Sequence, residues 1–191
     1  MPALVIAILH LFTTLISFGF IRPKKSRFSA VLNGMHSIYD ELHILNQKVG
    51  CTRSLILKTE NGGGVPRLGA SLFSSVLYEA LSGKGASLRK GWQQERLDEE
   101  YVKMLIAVMA NGQVHLKTEE MPECRLKTLY EANGVNEAMV FLIAVEETRL
   151  IYLSLNCCKK ETKEMTPTQE EAMRAGVNRL KQIFVKNPSE L

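Results

Sequence analysis

The stretch from Ala138 to Cys158 sets the strongest constraint on what this chain can become. Two apolar runs, AMVFLIAVE and RLIYLSLNCC, are separated only by Glu147 and Thr148. Runs of this length joined by so short a polar link predict an antiparallel hairpin. A hairpin that apolar needs other elements to cover it, and the rest of the sequence supplies them.

Phe28, Val31, Leu32, Met35, Ile38, Tyr39, Leu42, Leu45 and Val49 recur at three and four residues, which predicts a helix stopped at Gly50. RSLILKTE reads as a strand, and ASLFSSVLYEALS, ambiguous by pattern, has Ser, Val and Leu with aromatics that favour another. The polar, glycine-spaced GKGASLRKGWQQER predicts a long connection with Trp92 as its anchor onto the core. LDEEYVKMLIAVMANG predicts a helix whose acidic first turn complements its dipole and whose end is Gly112. QVHLKTE alternates like a strand, Pro122 is expected to open a short helix, and Asn133–Gly134 stops it. In the final segment Thr166, Pro167 and Gln169 make a capping box with proline at the first helical position. The order helix, strand, strand, helix, strand, helix, strand, strand, helix argues an α+β domain: an antiparallel sheet with helices on its faces.

The chain has 191 residues and a formal net charge of +4. Arg22, Lys24, Lys25 and Arg27 account for that excess; without them, 20 of the 24 basic residues remain against 20 acidic ones. The body is electrically neutral, which argues against a nucleic-acid partner. Ala3 to Ile21 is an uncharged run of 19 residues. As a helix it would be about 28 Å long, close to the ~30 Å of a bilayer's hydrocarbon core. A cleaved signal would carry basic residues before the run, and none occurs. A soluble core helix would not usually be apolar on all sides and end in a basic cluster. A single transmembrane helix fits best, and RPKKSR after it places the C-terminal body in the cytoplasm and the N-terminus outside. The expected organisation is an anchor with a basic juxtamembrane segment over 1–27, a domain over 28–186 and a tail over 187–191. The expected location is the inner membrane.

The elements from Gln113 to Phe184 form a known pattern. A strand is followed by a short helix ending in Gly134–Val135, an apolar strand over Met139 to Val145, a hairpin strand over Leu150 to Leu155, and Met165–Thr166 through Glu170 opening the last helix. This pattern resembles a GAF domain, with the helix from Phe28 to Val49 as the one that opens such domains. The resemblance covers roughly 28–186. The anchor, the RPKKSRF segment and the body together resemble small membrane-anchored GAF-like proteins of tailed bacteriophages. The resemblance implies a sensing or binding module with its pocket over one face of the sheet. Members that bind cyclic nucleotides carry an Asn-Lys…Phe…Asp-Glu motif. Asn156, Met165, Glu170 and Glu171 fall in that region, but no Lys directly follows the Asn, Met replaces Phe and Glu replaces Asp. No adjacent Cys and His occur as in bilin-binding members. Free methionine sulfoxide reductases share the fold; their first cysteine stretch is absent, and Cys124 lies 15 residues before Met139, beyond a helix.

Other motifs are weak. Gly62 to Gly64 is followed by Val-Pro-Arg-Leu-Gly, which lacks the Lys-Ser/Thr of a phosphate-binding loop and the helix of a dinucleotide fingerprint. The run reads as a connection; Glu60, Asn61 and Arg67 are the polar groups that would serve a binding loop. The cysteines are scattered, with no metal spacing, and Cys157 and Cys158 on a strand point to opposite faces. His36 and His43 stand two helical turns apart, too far for one metal without further ligands. His115 reads as a strand residue at or near the surface. No nucleophile motif surrounds any Ser, so no catalysis, metal or cofactor is expected.

Two functions from different classes remain. One is a membrane-tethered module that senses a small, nucleotide-like ligand in a closed pocket, with Asn156 as a candidate contact. The other is an interaction module whose first and last helices pair between two copies, Phe28, Met35, Leu42 and Val49 repeating every seventh residue as the seam. No output domain follows, which tilts expectation towards a separate protein partner. A thiol-based reductase on the same fold is the third and weakest alternative.

Overall fold

The predicted hairpin lies next to the centre of a six-stranded sheet. The computed structural model describes residues 27–61, 70–83, 86–158 and 165–186. Strands β1 (Arg53–Glu60), β2 (Phe73–Leu81), β3 (Glu95–Arg96), β4 (Gln113–Lys117), β5 (Glu137–Val145) and β6 (Leu150–Cys157) follow the order β3-β2-β1-β6-β5-β4. Every neighbouring pair is antiparallel. Helix α1 is Arg27–Val49, α2 Glu99–Asn111, α3 Arg125–Ala132 and α4 Pro167–Lys186. The chain divides into two units, Met1–Asn33 and Gly34–Leu191. Of the first, only the opening turns of α1 are described, and Phe28 and Leu32 are exposed there.

The capping chemistry explains the helix boundaries. Thr166 N–H donates to Gln169 Oε1 at 2.9 Å and Gln169 N–H donates to Thr166 Oγ1 at 3.3 Å, so the capping box closes. Asp98 is the N-cap of α2, accepting from Tyr101 N–H at 2.9 Å, while its other oxygen accepts from Arg125 N–H at 2.8 Å. One carboxylate thus serves the first turns of two helices. Gly112 ends α2 with φ +77°, where a side chain would be strained, and its N–H reaches Val108 O. Pro122 does not open α3. Chain bends run to Cys124, whose sulfur accepts from Lys127 N–H at 3.4 Å as the N-cap. Thr118 and Glu119, read as the end of a strand, belong to a 3-10 turn over Thr118–Glu120, and Glu95–Arg96, read as loop, pairs with the edge of β2.

Helices cover both faces. On one, α1 and α4 bury Ile38, Leu42, Leu45, Met173, Val177 and Leu180 against Ile56, Phe141, Ile151, Leu153 and Leu155. Each such side chain contributes about 1.5–3 kcal/mol by burial. The two helices approach closely at Gly176: a Cβ there would come within 2.5 Å of Leu45 Cδ2. Leu42 and Val49 of the heptad stripe pack onto their own sheet, so the outward seam does not run the length of the helix. On the other face, α2 and α3 bury Tyr101, Met104, Val108, Leu126 and Tyr130 over Leu55, Leu57, Val140 and Tyr152. Among the described residues no helix is long and apolar enough to cross a membrane; the apolar run 3–21 lies outside them.

Candidate functional site

Strand alternation builds a polar patch on the α2/α3 face. Along β6, Ile151, Leu153 and Leu155 turn to α1 and α4. The intervening Tyr152, Ser154 and Asn156 pair with Leu57, Leu55 and Arg53 of β1 and turn the other way. Tyr152 Oη lies 2.7 Å from Tyr101 Oη of α2 and 2.6 Å from Ser74 Oγ of β2, so three hydroxyls from three elements form one buried chain. Beside it, Ser154 donates to Asn156 Oδ1 at 2.7 Å.

These groups line a cavity of about 10 Å³, on the scale of a single water site. Its polar lining is Trp92, Tyr101, Tyr130, Tyr152, Ser154 and Asn156; leucines of β1 with Met104 and Val140 close the rest. Trp92 indole N–H and the Asn156 amide NH₂ have no hydrogen-bond partner although both are buried. Asn156's cross-strand neighbour Arg53 is 1% exposed and leaves Nε and Nη1 without one as well. Buried donors are ordinarily satisfied, because an unsatisfied one costs about 1–3 kcal/mol. Among the described residues, four of the five unsatisfied buried side-chain atoms are these donors, the fifth being Asn46 Oδ1. All four sit on residues of the α2/α3 side.

The cover over this face is fastened from below. Arg53 Nη2 donates to Ala86 O at 2.7 Å, and its Nε lies 3.6 Å from Glu79 Oε1. Glu79 accepts from Leu88 N–H at 2.7 Å, from Arg89 N–H at 3.3 Å and from the Ser87 hydroxyl. Val76 N–H donates to Trp92 O at 3.1 Å, so the connection carrying Trp92 is tied to β2. Trp92 is the anchor expected from sequence, packed 6.3 Å from the Tyr130 ring. Burial, the first cause in each case, raises the phenols of Tyr101, Tyr130 and Tyr152 above their ordinary pKa; Tyr152 next to Tyr101 raises the latter further. All three are neutral at physiological pH and offer both a donor and an acceptor.

Of the binding candidates Glu60, Asn61, Arg67 and Asn156, Asn156 is the one in the cavity lining among the described residues. Glu60 ends β1, where it pairs with Lys58 at 2.8 Å and accepts from Ser75; these contacts hold its carboxyl below the ordinary range. Asn61 follows it outside the lining, and Arg67 with Gly62 to Gly64 lies outside the described residues. His115 is exposed, 3.4 Å from Glu137. Tyr152 and Ser154 were missed, although their alternation with leucines in RLIYLSLNCC carries the signal. The cysteines are less scattered than their spacing suggests: Cys51 and Cys157 come within 3.7 Å. No cysteine is among the cavity-lining residues.

No family model matches the chain, and no curated protein matches it. Solved structures do. The phycoerythrobilin-bound GAF domain from a cyanobacterial phytochrome aligns with TM-score 0.52 and 13% identity over 86% of this chain and 97% of that one. GAF3 from Slr1393 of Synechocystis sp. PCC6803 aligns with TM-score 0.57 and 12% identity over 83% and 95%. The GAF domain/HD domain protein from Geobacter sulfurreducens aligns with TM-score 0.56 and 9% identity over 78% and 91%. At these identities the likeness establishes the fold. The chain has a GAF-like α+β fold, and its polar cavity lies under α2 and α3.

Proposed function

We propose that this chain is a ligand-binding sensory module on a GAF-like fold, held at the cytoplasmic side of the inner membrane by residues 3–21. The observation that carries the ligand reading is the pair of buried, unsatisfied donors of Trp92 and Asn156 in one cavity lining, beside the ion-paired Arg53. Donors without acceptors suit a ligand rich in carbonyl, carboxylate or phosphate oxygens. The cavity of about 10 Å³ has room for one water, so a larger ligand would require the connection bearing Trp92, tied to β2 through Val76 N–H, to move outward. Solved neighbours on the same fold include a bilin-bound domain and a domain of a sensor histidine kinase protein, which agrees with a sensory role. The anchor reading rests on the uncharged run and the basic RPKKSR that follows it. It extends to relatives among small anchored proteins of tailed phages.

Trp92 is the sole tryptophan, so its fluorescence reports the cavity directly. Titrating the full chain with a panel of nucleotides and small carboxylates is expected to shift its emission with at least one of them, saturably. No shift across the panel, together with a folded mass equal to the sequence mass, contradicts the ligand reading. Deleting residues 1–27 is expected to release the body from membranes, and a body that stays with them contradicts the anchor.

A second reading has its own observation. Ser37, Asp40, Glu41, Ile44, Arg179 and Gln182 line an open groove between α1 and α4, with Ile44 and, further along α4, Val185 exposed. The occupant proposed is a second copy of this chain, giving a homodimer through the first and last helices that presents a surface to a protein partner. Light scattering on the full chain at micromolar concentration is expected to give twice the monomer mass; a monomer throughout contradicts it.

A further inference from the structure

Cys51 and Cys157 are 106 positions apart in the chain, yet their sulfurs are 3.7 Å apart. Cys51 follows Gly50, which ends α1 with φ +83°, and is 1% exposed. Cys157 is the last residue of β6 and is half-buried. Backbone hydrogen bonds fix both. Gly50 N–H donates to Asn46 O at 3.0 Å and Thr52 N–H to Asn156 O at 3.0 Å, on either side of Cys51. Asn136 N–H donates to Cys157 O at 2.9 Å, and Cys158 N–H donates to Thr52 Oγ1 at 3.1 Å. Both sulfurs belong to the α1/α4 side of the sheet, whereas Cys158 packs on the opposite side. The pair is therefore separate from the cavity, although Asn156, the residue before Cys157, lines it.

We propose that Cys51 and Cys157 are a modification site: they form a reversible disulfide by exchange with a low-molecular-weight disulfide of the glutathione class. A covalent S–S bond of about 2.05 Å needs the sulfurs to close by about 1.7 Å, within reach of side-chain rotation when the backbones are already adjacent. The hydrogen bond Cys51 shares with Cys157, in which Cys51 keeps its proton, and, second, burial hold Cys51 as a thiol at neutral pH. Cys157, the more accessible sulfur, attacks first. Its thiolate displaces one thiolate from the small disulfide and forms a mixed disulfide. Cys51 then passes its proton to the small thiolate released in the first step and attacks the Cys157 sulfur, and the second small thiolate leaves and takes a proton from water. Two protein thiols are oxidised, and one small disulfide is reduced to two thiols. In a reducing compartment the pair stays a dithiol, so the bond forms when the disulfide pool rises. Once formed, it fastens the end of α1 to the end of β6 and closes a very long loop.

The test uses the full chain, folded, incubated with excess glutathione disulfide and then alkylated. The expected product has lost two hydrogens, gives one cross-linked peptide joining Cys51 to Cys157, and reverts with dithiothreitol. Closing so long a loop is expected to raise Tm by on the order of 10 °C. Cys157→Ser should abolish the cross-link, and Cys158→Ser should leave it unchanged. Cys157 is half-buried, so its serine variant keeps the test usable even where Cys51→Ala fails to fold. The proposal is overturned if all four cysteines of the treated protein, unfolded without reductant, are alkylated. A lasting glutathione adduct on Cys157, or a bond mapped to Cys124 or Cys158, overturns it as well.

Discussion

The two faces of the sheet are built from the same strands and differ in what they leave unsatisfied. Towards α1 and α4, β6 offers Ile151, Leu153 and Leu155, all essentially inaccessible to solvent, and helix packing there is tight enough to require Gly176. Towards α2 and α3, it offers Tyr152, Ser154 and Asn156, with hydroxyl chains, a buried Arg53 and donors that lack acceptors. The first face is organised for stability. The second holds unsatisfied polar groups, each of which costs free energy in the folded chain. Four of the five unsatisfied buried side-chain atoms among the described residues lie on that second side, the fifth, Asn46 Oδ1, belonging to α1.

Mutations that separate the faces are ordered by their expected effect. Leu153→Ala on the apolar face should lower stability by about 2–5 kcal/mol, read by urea denaturation, because the site cannot collapse around the missing carbons. A loss well below that range would mean that this face is not tightly packed.

Raising the pH should act next, and through the polar face. Tyr101, Tyr130 and Tyr152 have raised folded-state pKa values, so the folded chain holds protons that the unfolded chain releases. Their contribution is fully present below the unfolded value of about 10 and is lost as pH rises above it. One unit above that value, each phenol should cost about 1 kcal/mol. Tyr152→Phe should flatten the alkaline decline measured by thermal unfolding at stepped pH; an unchanged slope would show that this phenol is not held protonated by burial.

Gly176→Ala should destabilise by about 1–3 kcal/mol, although alanine normally favours a helix interior, since its Cβ meets Leu45 and Glu41. A stabilised variant would mean that α4 does not lie so close to α1. The smallest change in stability is expected for Asn156→Leu, within about 1 kcal/mol in either direction. It removes an unsatisfied donor along with one hydrogen bond from Ser154. The same substitution should abolish ligand-induced change in Trp92 emission, and that combination separates a functional polar residue from a structural one.

The sequence made the elements legible where local chemistry decides them. RSLILKTE coincides with β1, and the Thr166–Gln169 box and the Gly112 stop are found where caps and glycine chemistry place them. Pro122 misled because Cys124, a weak sulfur acceptor, caps α3 instead. The site was only partly legible. Asn156 emerged through its place in a family pattern, and its neighbours Tyr152 and Ser154 alternate with leucines in a run whose overall apolar character masks the polar face. The partners on Tyr101, Tyr130 and Trp92 come from three separate segments, and tertiary packing alone brings them together. The contact between Cys51 and Cys157 depends on the pairing of β1 with β6, which no local spacing encodes. Gly176 is similar: nothing in its own helix distinguishes it, and Leu45 gives it meaning.

The most direct test of a ligand site beneath α2 and α3 is native mass spectrometry of the full chain beside the Asn156→Leu, Trp92→Phe double variant, both purified from bacterial membranes. The account predicts a discrete mass on the folded wild type that denaturation releases and the folded double variant lacks. A folded wild-type mass equal to that of the bare chain, or an added mass retained unchanged by the double variant, contradicts it.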